Sequence, residues 1–170
     1  MSFQRAFRRR GRPRYSVSHQ FAATLNESII GMIGGASVRP WVYLVSVGSD
    51  NNTSDRQLRY ALTRASSGAM IGNTLTAQRL DLLTSASHFD TSSELAGPNW
   101  VLQPSVGDVL VNLPMGGRQS VQWQAEDGNE VAGDLSSGLG LALNCKALSS
   151  GNPNVNAVIH WFEDVDAGIG

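Results

Sequence analysis

The residues able to do chemistry are few and scattered. Histidine occurs at His19, His88 and His160, and cysteine at Cys145 alone. A zinc site needs several closely spaced thiolate or imidazole ligands, which one cysteine and dispersed histidines cannot supply. No metal and no other cofactor is expected. His88-Phe-Asp90 could set an imidazole beside a carboxylate, but no activated nucleophile accompanies the pair in sequence. His19 and His160 fall inside alternating segments and read as sheet-surface histidines. Gly31-Met-Ile-Gly34-Gly35 lacks the lysine and the strand-to-helix setting of a phosphate loop. Glu163-Asp-Val-Asp166 could attract a divalent cation but reads as a solvated terminus. Asn26-Glu-Ser and Asn52-Thr-Ser fit the glycan-acceptor pattern without a secretion signal ahead of them. Trp41, Trp100, Trp123 and Trp161 could form a sugar-stacking platform, but alternation points Trp123 and Trp161 inward, where large aromatics fill a core. An enzyme is not expected.

The chemistry that does stand out is charge. Arg5, Arg8, Arg9, Arg10, Arg12 and Arg14 fall in the first 14 residues. The rest of the chain sets seven cations (Arg39, Arg56, Arg59, Arg64, Arg79, Arg118 and Lys146) against all 14 acids. A basic tail on an acidic body repels itself and seeks an anionic partner. Arginine in place of lysine favours planar, two-pronged recognition of phosphate or carboxylate. Phe3 and Phe7 interleave with the arginines. On a purely solubilising tail they would be a liability, whereas on a docking arm they are anchors buried on binding. Two partners fit: nucleic acid, whose phosphates the arginines would neutralise with a steep salt dependence, and an acidic groove on a neighbouring protein.

The elements that must carry this arm read as strands. Residues 1–14, with Gly11 and Pro13 and no apolar period, read as disordered. From Tyr15 the period becomes two: Tyr15, Val17, His19 and Phe21 alternate with Ser16, Ser18 and Gln20. Ile29, Ile30, Met32 and Ile33 form a short apolar run closed by Gly34 and Gly35. Trp41-Val-Tyr-Leu-Val-Ser-Val47 suits a central strand with both faces covered. Leu58, Tyr60 and Leu62 also fit helical spacing, but alternation with Arg59, Ala61 and Thr63 favours a strand. A short element at Leu80–Leu83 precedes a long polar connection over 84–99, then strands at Trp100–Leu102 and Val109–Leu113. Val121, Trp123 and Ala125 alternate ahead of Asp127-Gly128, a hairpin signal. Leu139, Leu141, Leu143, Cys145 and Ala147 give the clearest inward face, and Val155, Ala157, Ile159 and Trp161 the last strand.

With 170 residues, the chain can bury roughly 70% of its unfolded surface in one domain. The one cysteine forms no internal bridge. No apolar run is long enough for a membrane-spanning helix, and the basic start leads into polar alternation where a signal peptide would turn apolar. Eight or nine strands without a long helix, 18 glycines and long connections near 48–55, 66–76 and 84–99 favour an all-β antiparallel sandwich of jelly-roll type over a closed up-and-down barrel. The expected division is an arm over 1–14, a sandwich over 15–166 and a tail over 167–170.

Several patterns resemble a known family. Gly48-Ser-Asp, Tyr60-Ala-Leu-Thr-Arg64, a Gly/Thr-rich loop, Leu75-Thr76 and Arg79-Leu-Asp81 resemble jelly-roll capsid cement, or decoration, proteins of tailed phages, cyanophages among them. Gly116-Gly-Arg118 ahead of Val121-Gln-Trp123, Gly138-Leu-Gly-Leu141 and Ile159-His-Trp-Phe-Glu163 are also similar. The resemblance runs over residues 15–164. It implies a virion protein, made in the host cytoplasm, that sits as a trimer on the outer shell and binds the major capsid protein. Many relatives begin near the first strand, so Ser2–Arg14 departs from the family pattern and leaves shell or genome open as the arm's partner. The expected binding residues are Phe3, Arg5, Phe7, Arg8, Arg9, Arg10, Arg12 and Arg14. The alternative is the coat protein of a small icosahedral virus whose arm binds the packaged genome; a lectin or enzyme on a β-sandwich is a third class.

Overall fold

The computed structural model describes residues 12–22, 27–33, 38–49, 57–66, 73–80, 90–93, 105–116, 119–133, 139–145 and 154–165. These form 12 strands: β1 (Arg14–Ala22), β2 (Glu27–Ile33), β3 (Val38–Ser49), β4 (Gln57–Ser66), β5 (Asn73–Leu75), β6 (Gln78–Arg79), β7 (Asp90–Ser93), β8 (Ser105–Gly116), β9 (Ser120–Gln124), β10 (Val131–Ala132), β11 (Leu139–Cys145) and β12 (Asn154–Val165). The segment with helical spacing at Leu58–Leu62 is strand, as its alternation requires.

All pairings are antiparallel and divide into two sheets. Sheet A runs β10–β3–β12–β1–β6, with β9 also on β3; sheet B runs β5–β7–β2–β11–β4–β8. Both β9 and β10 pair with β3, β9 along Leu44–Gly48 and β10 along Trp41–Val42. They are one edge strand interrupted by an excursion. Counting them so, the major strands alternate between sheets as 9/10-3-12-1 and 2-11-4-8, the double Greek key of a jelly roll. The fold class expected from sequence is the one observed. The short β5, β6 and β7 arise between β4 and β8 and extend both sheets.

One core joins the sheets. Tyr15, Val17, Val42, Val45, Val47, Ile159 and Trp161 come from sheet A, and Ile29, Ile30, Met32, Leu58, Tyr60, Leu62, Leu141 and Leu143 from sheet B. Tyr15 stacks on Trp161 with centroids 5.7 Å apart. Trp123 is half-buried and packs against this core from the edge. Pro114 lies in β8, at the rim of sheet B, where a missing N–H costs no ladder bond.

The structure corrects several local readings. Asp127-Gly128 makes a turn, closed by the Asn129 amide donating to Glu126 O at 2.9 Å, and Gly128 takes the left-handed φ of 89°. Its flanking strands do not pair as a hairpin; both run along β3. At the return, a Cβ on Gly133 would meet Pro40 Cγ at 2.5 Å, so only glycine lets its amide reach Pro40 O at 2.8 Å. The connection over 84–99 contains β7; β6 ends at Arg79 and Leu80 is exposed, while the rest of the element expected at Leu80–Leu83 lies outside the described residues. His19 is buried and points inward with Val17, not outward onto a sheet surface. The outward positions of β11 are buried as well: Asn144 donates through Nδ2 to Thr63 Oγ1 and accepts from Ser28 Oγ, both at 2.6 Å.

Candidate partner-binding face

The sequence puts chemistry in the arm, so the site begins where the arm meets the fold. Phe3, Arg5, Phe7, Arg8, Arg9 and Arg10 lie outside the described residues; Arg12 and Arg14 lie within them. β1 opens at Arg14, one residue inside the segment assigned to the arm. The Arg14 carbonyl accepts from the Leu80 amide at 2.9 Å, and the Pro13 carbonyl from the Glu163 amide at 3.3 Å. The Arg12 guanidinium carbon lies 5.3 Å from the centroid of the Phe162 ring, within cation–π reach. The arm's last three residues are therefore part of the body, and its root is fixed beside Phe162.

Phe162 lies on the outer face of sheet A. In β12 the core takes Ile159 and Trp161, so His160 and Phe162 point away from it. Trp41 lies 6.2 Å from Phe162 with planes within 10°, and Tyr43 lies 6.3 Å from it at 22°. Tyr43 also meets His160 edge-on at 5.9 Å. A β-bulge makes this cluster. Leu44 pairs with His160 and Val42 with Trp161, which leaves Tyr43 as an extra residue. The extra residue lets Val42 and Val45 both point inward while Tyr43 and Leu44 both face outward. Phe162 is buried beneath its neighbours; Trp41, Tyr43 and His160 are half-buried.

The electrostatics of this face differ from those of the whole body. Its other outward positions include Ser16, Ser18, Gln20, Asn156, Ser46, Gln122 and Gln124, with the apolar Val158 and Leu44 next to His160. At the end of β12 Asp164 pairs with Arg39. Exposed acids with described side chains, Asp108, Glu126 and Asp127, sit in β8 and in the excursion after β9. Burial holds the His160 imidazole below its ordinary value of 6.5, so it is neutral at neutral pH. Arg39 Nε and Trp41 Nε1 are buried here and make no hydrogen bond.

Other candidate chemistry is placed as follows. Glu163 is buried and accepts from Trp161 Nε1 at 3.2 Å, so it faces the core end and not a solvated terminus. Among the described residues no group of three His, Cys, Asp or Glu could hold a metal. Asp90 opens β7, while His88, Asn26, Asn52, Trp100, Asp166 and Lys146 lie outside the described residues. Cys145 is a buried thiol beside Tyr60, whose phenol burial pushes well above its ordinary range; its hydroxyl makes no hydrogen bond of good geometry. Among the described residues no helix is long and apolar enough to cross a membrane. Sequence reasoning missed the outer aromatic cluster. Its signal was the unbroken run Trp41–Val47, which hides the bulge.

No protein-family model matches the chain, and no curated protein matches it. The likeness to phage cement proteins therefore rests on the sequence patterns alone.

Proposed function

We propose that this chain is a structural protein of an icosahedral virus particle, a single jelly roll that builds the shell and extends an arginine-rich arm to the packaged genome. The observation that carries the reading is the meeting of two features. The strand order is one that capsid domains use, and a segment with six arginines enters it on a face whose outward positions are mostly uncharged. A lectin or cupin would use the same order, but neither accounts for the arm. The reading assigns no catalytic step. Binding is multivalent: copies related by symmetry each contribute a weak, salt-sensitive contact to one polymer.

A second reading, a cement protein seated as a trimer on the outside of a tailed-phage shell, is supported by the patterns at Tyr60–Arg64, Arg79–Asp81 and Ile159–Glu163. One experiment separates the two. The full chain is expressed alone, purified, and imaged by negative-stain electron microscopy, with its nucleic-acid content read from the ratio of absorbance at 260 and 280 nm. Closed shells that retain nucleic acid support the coat-protein reading. Trimers or monomers that bind only to preformed shells of another protein sink it and favour the cement reading.

A further inference from the structure

We infer that the outer face of sheet A is itself a nucleic-acid surface, selective for single strands, on which unpaired bases contact Trp41, Tyr43 and His160 while Arg12 and the arm hold the phosphates. The inference rests on the genome-binding reading and deepens it, since that reading needs only charge.

Four observations point to this partner. First, the aromatics are gathered outside the core: the core cluster contains none of Trp41, Tyr43 and Phe162. Second, the gathering depends on a bulge that places Tyr43 beside both His160 and Phe162. Third, Arg12 already lies over Phe162, so an arginine and a row of rings share one surface. Fourth, the surrounding outward positions are mostly Ser, Gln and Asn, with Val158 and Leu44 among them, and these uncharged groups offer hydrogen bonds to base edges and repel no phosphate. Single-strand binders combine these parts: a cationic track for the backbone, aromatic rings for the bases and arginine beside the rings. A duplex hides its base faces and gains only from the charges. The neutral His160 is suited to contact a base edge-on at neutral pH.

The test uses the full chain in its unassembled form and measures binding by fluorescence anisotropy. The probes are a labelled single-stranded oligodeoxythymidine, a hairpin duplex with the same number of phosphates, and heparin as a polyanion without bases. Trp41→Leu with Tyr43→Leu keeps apolar volume on the face and removes the rings. Circular dichroism and gel filtration confirm that the variant folds and keeps its oligomeric state. The expected result is a preference of the intact protein for the single strand over the duplex. The double-leucine variant loses about tenfold or more of single-strand affinity, and its heparin affinity and salt slope stay unchanged. Arg8→Ala with Arg9→Ala and Arg10→Ala does the opposite: it weakens all three probes and flattens the salt slope. Equal binding of single strand and duplex by the intact protein overturns the inference, as does full single-strand affinity in the leucine variant. If the leucine variant instead changes oligomeric state with oligonucleotide affinity intact, the face is a protein interface and the inference also falls. In those cases arm-dependent heparin binding leaves the genome-binding reading standing. Absence of polyanion binding by the intact chain removes both.

Discussion

Asn144 ties three strands of sheet B together, and its removal should cost more than its small volume suggests. Its side chain is 2% exposed, Ser28 is 1% exposed and Thr63 is fully buried. Ser28 Oγ donates to Asn144 Oδ1 at 2.6 Å, and Asn144 Nδ2 donates to Thr63 Oγ1 at 2.6 Å and to Ala142 O at 3.3 Å. In Asn144→Ala the Thr63 hydroxyl keeps Ala142 O as its acceptor, while the Ser28 hydroxyl loses its bond to Asn144. Each lost bond costs about 1 kcal/mol net, and more where the site is fully desolvated. The expected loss is about 2–4 kcal/mol, or about 5–15 °C in Tm for a domain of this size. Urea denaturation of the unassembled protein, followed by circular dichroism, measures it. The argument makes a sharper demand on the double variant. Ser28→Ala removes the same Ser28–Asn144 bond, so Ser28→Ala with Asn144→Ala should be less destabilised than the sum of the singles by about 0.5–3 kcal/mol. A loss under about 1 kcal/mol in the single variant, or strict additivity in the double, would refute the view that this belt is a coupled, desolvated network.

Three further outcomes are expected. Deleting residues 1–11 should leave the thermal midpoint of the body unchanged, whereas deleting 1–14 should lower it, because the second cut removes the Pro13 and Arg14 carbonyl acceptors and the Arg12–Phe162 contact; equal midpoints would place the boundary elsewhere. Leu141→Ala should cost about 2–5 kcal/mol as a truncation of a side chain buried to 1% exposure, while exposed Gln122→Ala stays within about 0.5 kcal/mol of neutral in the same denaturation assay. His160 should make stability fall with acidity: its folded value lies below the ordinary 6.5, so the unfolded chain takes the proton first, and the contribution present above that value is lost as pH drops below it. His160→Gln should flatten that part of a profile of Tm against pH, and an unchanged slope would mean that burial does not hold the imidazole neutral.

The fold was largely legible because the core strands obey period two. Tyr15 and Val17, Val155 to Trp161, and Leu141 to Cys145 all point inward as alternation requires, and between them they set both sheets. Legibility failed where a residue's surroundings come from distant chain. Asn144 looks solvent-facing beside Leu143 and Cys145, but β2 and β4 bring it Ser28 and Thr63 as partners. Asp127-Gly128 carries the local chemistry of a turn, but whether its flanks pair with each other or with a third strand depends on β3. The arm stood out as a candidate for partner binding from charge alone, because like charges without apolar spacing have no use in a core. The aromatic face was not readable. A bulge adds one residue without changing composition, and a continuous apolar run looks the same with or without it.

That bulge bears on what the sequence has been shaped to do. The core asks β3 for Val42, Val45 and Val47, all of which it buries completely. An unbulged strand one residue shorter, with a single polar residue between two inward valines, could meet the same demand with an uninterrupted ladder and a wetted outer face. The chain instead breaks its ladder opposite His160 and Trp161 and turns a tyrosine outward beside Phe162 and Trp41. It also leaves two donors, Arg39 Nε and Trp41 Nε1, buried on that side without acceptors. Each departure works against the most stable sandwich, and sites that break local rules in an otherwise consistent fold are where function is carried. The segment of six arginines is the other part of the sequence that core packing does not explain. Its last residues meet the rings at Phe162, through Arg12. Two independent departures from folding economy converging on one residue are the grounds for the proposal that a partner is recognised on that face, and not by the arm alone.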